Sequence, residues 1–484
     1  MRSSSQPSSL VLALLATPFA PFASAERVLG AYVFARHGDR TPKVLGSTQL
    51  TDLGYSQVYQ TGSYYHDRYI DSDSASHIEG ISSDLVKLSQ IDTSAPSDNV
   101  LQNSAIGFLQ GVYPPAGSSA NQTLSNGTTV EAPLNGYQLI PLSLISQGTD
   151  SEDNTWLQDA TGCENAKVSS NNYYSSTLYS DILSSSASFY KSLSSMLSGA
   201  FSDSEMSFKN AYTIFDYLNV ASIHNTSNTP SASQLTRLFH LANIEQYNLA
   251  YNTTDTARAI AGSQLAGEML AALNATITNK AEKKKLNIQF GSYGTFLSYF
   301  GLAQLPGVNV NFTGVPDYAS SMAWELVTDA PGSSFPSESE ISVRFVFHNG
   351  TITDGSSPSE YALYGESNAT IPWSTFVEQT KKIAVSSDEE WCEVCGNSDS
   401  KCSSSGSGSG SDSGSGSVGA SSKDDGGVSR PVAGVIGAMV TLAVILGLEA
   451  LILAVGGFRI AKKQKNAGVE APVEAVTENK KVDV

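Results

Sequence analysis

The chain turns from apolar to polar within fourteen residues: Leu29-Gly30-Ala31-Tyr32-Val33-Phe34-Ala35, then Arg36-His37-Gly38-Asp39-Arg40-Thr41-Pro42. The first half is a short apolar and aromatic run suited to a buried strand. The second half is a loop at that strand's C-terminal end. Two arginines four apart, with a histidine between them, form a site for a phosphate dianion facing a nucleophilic imidazole. His37 is then the candidate nucleophile, and Arg36 and Arg40 the phosphate clamps. Gly38 lets backbone come close to a ligand, and Pro42 stiffens the exit of the loop.

Outward from this point, Leu286 to Phe290 reads as a second strand after a helix-like stretch around Ala259 to Leu273, and Ile341 to Phe347 alternates like a third. Strands interleaved with helices predict an α/β fold, a sheet flanked by helices. Between them, Asn121 to about Asn252 is rich in Ser, Asn and Tyr and reads as an inserted, mainly α-helical cap.

Of 484 residues, 28 are Lys or Arg and 46 are Asp or Glu, a formal charge of -18, and the only dense basic cluster lies near the C-terminus. Such a surface repels polynucleotide phosphates, so no nucleic-acid partner is expected. Only 15% of residues are charged, so Ser, Thr, Asn and Gly carry much of the surface polarity, as suits an extracellular protein.

Both ends carry targeting signals. Arg2, the apolar run Leu10 to Leu15 and Ala23-Ser24-Ala25 predict a secretory signal over 1–25, with Pro18 and Pro21 opposing a continued helix. Val432 to Phe458 is interrupted by one charge, Glu449, and is followed by Arg459, Lys462, Lys463 and Lys465. This predicts a single transmembrane helix over 431–458 with a cytoplasmic tail over 459–484. The alternative, a lipid-anchor signal, would end in its apolar tail. Residues 403–430 form a Ser/Gly-rich tether. The folded ectodomain is then 26–402, lumenal or extracellular, at the plasma membrane or a vacuole.

Eight N-x-S/T acceptors, at Asn121, Asn126, Asn225, Asn252, Asn274, Asn311, Asn349 and Asn368, fall inside the ectodomain and outside the first hundred residues of the chain. Cys163 stands alone, whereas Cys392, Cys395 and Cys402 cluster. Four secreted cysteines allow three pairings, and Cys163 is expected to join one of the terminal three. No fourth ligand stands near Cys392-x-x-Cys395, so no metal is expected there, and no cofactor is implied.

The RHGxRxP loop resembles that of the histidine acid phosphatase family in the phosphoglycerate-mutase-like clan. The resemblance continues through Leu50-Thr51, Gly54, Gln57, Gly62 and Arg68-Tyr69, which are similar to the family's first helix, and Ser104-Ala105 through Gly111, Tyr113, Pro114 and Pro115, similar to its second. Weaker echoes follow at Asn135-Gly136-Tyr137, Ala261-Gly262 and Trp391-Cys392. The resemblance implies a sheet with an α-helical cap, attack of His37 on phosphorus to form a phosphohistidine, and oxygens held by Arg36 and Arg40.

Two family features are missing. A phosphate-binding arginine four residues before the Ser-Ala is replaced by Val100, and Tyr293-Gly294 stands where the family has a His-Asp pair that binds phosphate and protonates the leaving alcohol. The dipeptide His66-Asp67 reads as a solvated helix face. Asp39 is the candidate substitute proton donor, with Glu325 beside it in that role. The expected protein is a membrane-anchored phosphatase-like ectodomain that takes phosphate or a phosphomonoester, with hydrolysis impaired or altered. The alternatives are a fully active acid phosphomonoesterase with a non-standard donor, and a non-catalytic phospho-ligand receptor or surface glycoprotein.

Overall fold

Period-two alternation organises β1 (Arg27–Arg36). Tyr32 and Phe34 enter one core, and Ala31, Val33 and Ala35 enter the other, so the strand is buried on both faces. The computed structural model describes residues 26–145, 162–224, 229–353, 355–398 and 402. The expected signal, tether, membrane span and tail lie outside the described residues, as does the acceptor Asn225. No helix among the described residues is long and apolar enough to cross a membrane.

After β1 come α1 (Asp52–Tyr65), β2 (Ile91–Pro96) and α2 (Asn99–Val112). A hairpin of β3 (Gln122–Thr123) and β4 (Thr129–Val130), a single turn α3 (Pro133–Gly136) and β5 (Ser143–Ile145) follow. The helical cap comprises α4 (Glu164–Tyr173), α5 (Thr177–Ser192), α6 (Ser194–Leu197), α7 (Ala211–Ile223) and α8 (Ala232–Ala250). The chain returns through α9 (Ile260–Thr278), β6 (Leu286–Gly291), α10 (Tyr293–Leu302), β7 (Ser321–Thr328) and β8 (Ser342–His348). It closes with β9 (Ser359–Glu360), β10 (Thr370–Pro372), α11 (Trp373–Lys381) and α12 (Asp388–Cys395).

The main sheet runs β10-β8-β7-β1-β6-β2-β5, with β9 on β8. β1, β6, β2 and β5 are parallel neighbours, while β7 and β8 pair antiparallel. Helices α1 and α2 cover one face and α9 and α10 the other. The cap has its own aromatic core, including Tyr190, Phe208, Ile214 and Leu238.

The cap boundary differs from expectation. Its helices begin at Glu164, and the earlier part of 121–252 ends in β5, which joins the main sheet beside β2. Ser/Asn-rich composition marks both parts alike, and only the short apolar run at Leu142 and Leu144 distinguishes them. Cys163 pairs with Cys395, and Cys392 with Cys402. The first bond fastens the start of the cap to the end of the folded chain, through a small apolar cluster with Ile260, Val385 and Trp391.

Candidate active site

Three parallel strands bring the motif positions together. Arg36 at the end of β1 lies beside Gly291 at the end of β6, and Ser94 of β2 lies beside Gln289. The loop after β1, the start of α10 and the start of α2 therefore share the carboxyl edge of the sheet, where α/β folds place their ligands.

The loop is seated on α1 by backbone contact. A Cβ on Gly38 would lie 2.2 Å from the Gly54 carbonyl oxygen, and one on Gly54 would lie 2.0 Å from the Asp39 carbonyl oxygen. Both positions must be glycine for the chains to approach this closely. Thr51, the N-cap of α1, donates its N–H to the Asp39 carbonyl at 3.1 Å. Gln57 Oε1 accepts from Asp39 N at 2.8 Å, and Ser104 Oγ accepts from Gly38 N at 3.3 Å. Four of the residues that carry the family resemblance, Thr51, Gly54, Gln57 and Ser104, thus hold the loop.

His37 Nδ1 lies 2.7 Å from the Gly38 carbonyl oxygen. A carbonyl only accepts, so Nδ1 carries the proton of this bond. Arg36 donates from Nη1 to the Pro316 carbonyl and from Nη2 to Tyr212 Oη at 3.3 Å. Its guanidinium lies over the rings of Tyr318, 4.9 Å away, and Tyr293, 5.3 Å away. Burial pushes the Tyr212 hydroxyl above its usual range, so it stays neutral beside the arginine. Arg40 pairs with Asp216 of α7 at 2.8 Å, both fully buried.

These side chains are closed off. His37 and Arg40 are 0% exposed and Arg36 4%. A cavity of about 30 Å³ beside Arg36 holds about one or two waters. The rings of Tyr212 and Tyr293, 4.5 Å apart, stand between Arg36 and a larger cavity of about 600 Å³ that reaches Arg258 and α4.

The altered positions are wholly unlike the polar pair and arginine of the resemblance. Val100 is buried in the first turn of α2, where Asp98 Oδ1 accepts its N–H at 2.9 Å. Tyr293 donates its hydroxyl to Gln246 Oε1 at 3.2 Å. Gly294 is open: a Cβ there would meet only Ser292 Oγ, at 3.7 Å, among the described residues.

The candidate donors separate. Asp39 Oδ2 accepts from Thr51 Oγ1 at 2.6 Å and lies 2.8 Å from His224 Nε2, at the end of α7. Glu325 sits inside β7, far from this constellation in its bonding, with Arg68 and Arg344 at 2.7 Å and the Tyr69 hydroxyl at 2.6 Å. Although burial opposes it, these partners hold its carboxyl below the usual range, which removes it as a proton donor. His66 is half-buried rather than solvated, its Nδ1 2.8 Å from the Val112 carbonyl.

Sequence reasoning did not find Tyr212, Asp216, Tyr318 or Lys43. Lys43 Nζ lies 5.6 Å from the ring centroids of both Tyr212 and Tyr293, and its signal was its place directly after Pro42. Among the described residues, no group of three or more His, Cys, Asp or Glu is placed to hold a metal.

The described fold superposes loosely on several solved structures. Hafnia alvei phytase in complex with tartrate aligns with a TM-score of 0.47 and 12% identity, covering 78% of this chain and 99% of that one. Citrobacter braakii phytase gives 0.48, 12%, 76% and 99%. The Bifidobacterium longum multiple inositol polyphosphate phosphatase, complexed with inositol hexasulfate, gives 0.44, 12%, 71% and 92%. No curated protein matches the sequence. A family description, by contrast, matches residues 43–348, well over half the chain, starting one residue after Pro42. By that match the chain belongs to the histidine phosphatase superfamily, branch 2.

Proposed function

We propose that the ectodomain binds phosphate or a phosphomonoester at Arg36, His37 and Arg40, and that hydrolysis through a phosphohistidine is impaired. The observation that carries this reading is the contrast at the sheet edge. His37 has its Nδ1 on the Gly38 carbonyl, between two arginines in the loop, while the ring of Tyr293 lies over Arg36 at the position where the resemblance implies a His-Asp pair.

In this reading Nε2 attacks phosphorus, the arginines hold the oxygens, and the ester oxygen leaves. An alkoxide leaving group requires a proton, and a general acid contributes about 10²- to 10⁴-fold. A nitrophenolate requires little. The Arg40–Asp216 pair also weakens the clamp, because the carboxylate competes with the phosphate for the guanidinium. Access requires the rings of Tyr293, Tyr212 or Tyr318 to move.

The test compares nitrophenyl phosphate with glycerol phosphate on the full chain between pH 3 and 7. Slow aryl turnover with almost no alkyl turnover is expected. The Asp39–His224 pair supports a second reading, an active phosphomonoesterase whose proton comes from this dyad. Comparable, efficient turnover of both esters would establish that reading and overturn the first. Absent turnover, with phosphate binding that depends on Arg36 and Arg40, would make the protein a receptor.

The domain is proposed to lie on the lumenal or extracellular side, held by 431–458. Two disulfides fit an oxidising compartment. Protease added to sealed vesicles should spare the ectodomain and trim only the tail.

A further inference from the structure

A second cavity, of about 880 Å³, lies between α8, the segment 309–316 and the end of β8. Its size falls in the roughly 300–1,000 Å³ range of small-molecule sites. No Asp, Glu, Lys or Arg is among the described residues that line it, although 15% of the chain is charged. Instead the walls are aromatic, with Phe239, Tyr247, Phe312 and Tyr361, interleaved with asparagines.

Several of those amides are half used. Asn243 Oδ1 accepts from Val315 N at 2.9 Å, Asn309 Oδ1 accepts from Asn311 N at 3.0 Å, and Asn248 Nδ2 donates to the Ile244 carbonyl at 2.8 Å. The other amide atoms, Nδ2 of Asn243 and Asn309 and Oδ1 of Asn248, make no hydrogen bond within the described protein. They leave two donors and one acceptor among apolar rings.

An anion finds no lysine or arginine here, only the imidazoles of His240 and His348 on the wall. A purely apolar ligand would cover these amide groups without pairing them, at roughly 1 to 3 kcal/mol for each group left unsatisfied. A neutral molecule with flat apolar faces and a rim of hydroxyls meets both demands, because each hydroxyl can donate and accept. We propose that this cavity is a carbohydrate site that takes a neutral pyranose, its C–H face on the rings and its hydroxyls on the asparagine amides.

Such a sugar has two possible sources, a free saccharide or the chain's own glycan. Asn311, in an Asn-Phe-Thr acceptor, lines the cavity and is exposed, with no side-chain hydrogen bond among the described residues. Asn349, the other acceptor in the lining, has its Nδ2 on Asp317 Oδ2 at 3.1 Å and its Oδ1 on Asp317 N at 2.9 Å. The internal source is therefore Asn311.

The test measures saturation transfer from the full chain, made in a secretory host, to methyl glucoside, methyl mannoside and N-acetylglucosamine. Wild type, Asn311→Gln and Ser357→Trp are compared, with Nile red as an apolar probe. Ser357 is an exposed residue of the lining, so a tryptophan there blocks the cavity without entering the core. Should that variant fail to fold, Ser359→Trp is the second plug. Sugar binding by wild type that falls roughly tenfold, about 1.4 kcal/mol, in the plugged variant supports a free-saccharide site. Binding that appears only in Asn311→Gln supports occupation by the chain's own glycan. No sugar binding in wild type or Asn311→Gln, binding unchanged by both plugs, or binding of Nile red alone overturns the proposal.

Discussion

β1 and β6 are neighbouring parallel strands ending at one edge of the sheet, and they deliver opposite chemistry there. From β1 come Arg36, His37 and Arg40, each fixed by hydrogen bonds or an ion pair. From β6 come an aromatic ring on Gln246 and a glycine with space around it. In the proposed function the difference separates two halves of phosphoryl transfer. The groups proposed to attack and to hold charge are also fastened into the joint between strand and helix. The position proposed to lack a proton donor packs on Arg36 and Tyr212 but stands outside the backbone contact of Gly38 with Gly54, so it can change without disturbing that joint.

The strongest way to break the comparison is on the β1 side. His37→Ala should bring phosphoryl transfer to background, read as loss of acid-labile radiolabel on the protein after incubation with an aryl phosphate. Label that survives the substitution would mean the chemistry lies elsewhere.

A smaller effect tests whether the β1 half is structural as well. Arg40→Ala leaves Asp216 buried and uncompensated, and breaking a buried pair costs about 3 to 5 kcal/mol. Urea unfolding at neutral pH should record that loss, and Asp216→Ala added to it should restore part. A single variant as stable as wild type would show that water already reaches the pair.

The support behind the β6 side is expected to be pH-dependent. Glu245 accepts the Tyr212 N–H at 2.7 Å, and burial, partly offset by that bond, pushes its carboxyl up to about 7 from an ordinary 4.5. The folded chain then holds a proton that the unfolded chain has released. This contribution is fully present below about 4.5 and is lost as pH rises to about 7, to a total of about 3 kcal/mol. Glu245→Gln should flatten the slope of unfolding free energy over that window. An unchanged slope would move the titration to another group.

The smallest expected effect sharpens the comparison directly. Tyr293→His with Gly294→Asp should raise glycerol phosphate turnover about tenfold, below the full contribution of an optimised acid, and leave nitrophenyl phosphate turnover nearly unchanged. Equal rises for both esters would mean the substitutions had only opened the pocket.

Much of this edge was legible in the chain. The apolar runs at Leu29, Leu286 and Ile341 are β1, β6 and β8, and the loop between Arg36 and Pro42 lies where its residues implied. Two of the strands that were not legible show why. β2, Ile-Asp-Thr-Ser-Ala-Pro, is too polar to stand out, and β7 carries Glu325 in its middle, a charge that only Arg68 and Arg344, brought from α1's end and β8, make tolerable. The enclosure of the site was equally hidden. Tyr212 and Asp216 come from a cap helix, and Tyr318 from the turn before β7, about 170 to 280 residues from the loop they cover. Only tertiary packing relates them. His224 is the same case: a polar residue at a helix end that acquires meaning from Asp39.

The contact of Gly38 with Gly54 has a consequence for which substitutions this architecture tolerates. Any side chain at either glycine would push the loop off α1, whatever the protein does for a living, and Arg40 cannot be lost without stranding Asp216. An intact Arg-His-Gly-Asp-Arg segment therefore attests that the joint is assembled, and it would persist in a protein that had given up turnover. The first two residues of α10 are the positions where drift and function part company. A survey of related chains that scored only the loop would count silent members as enzymes.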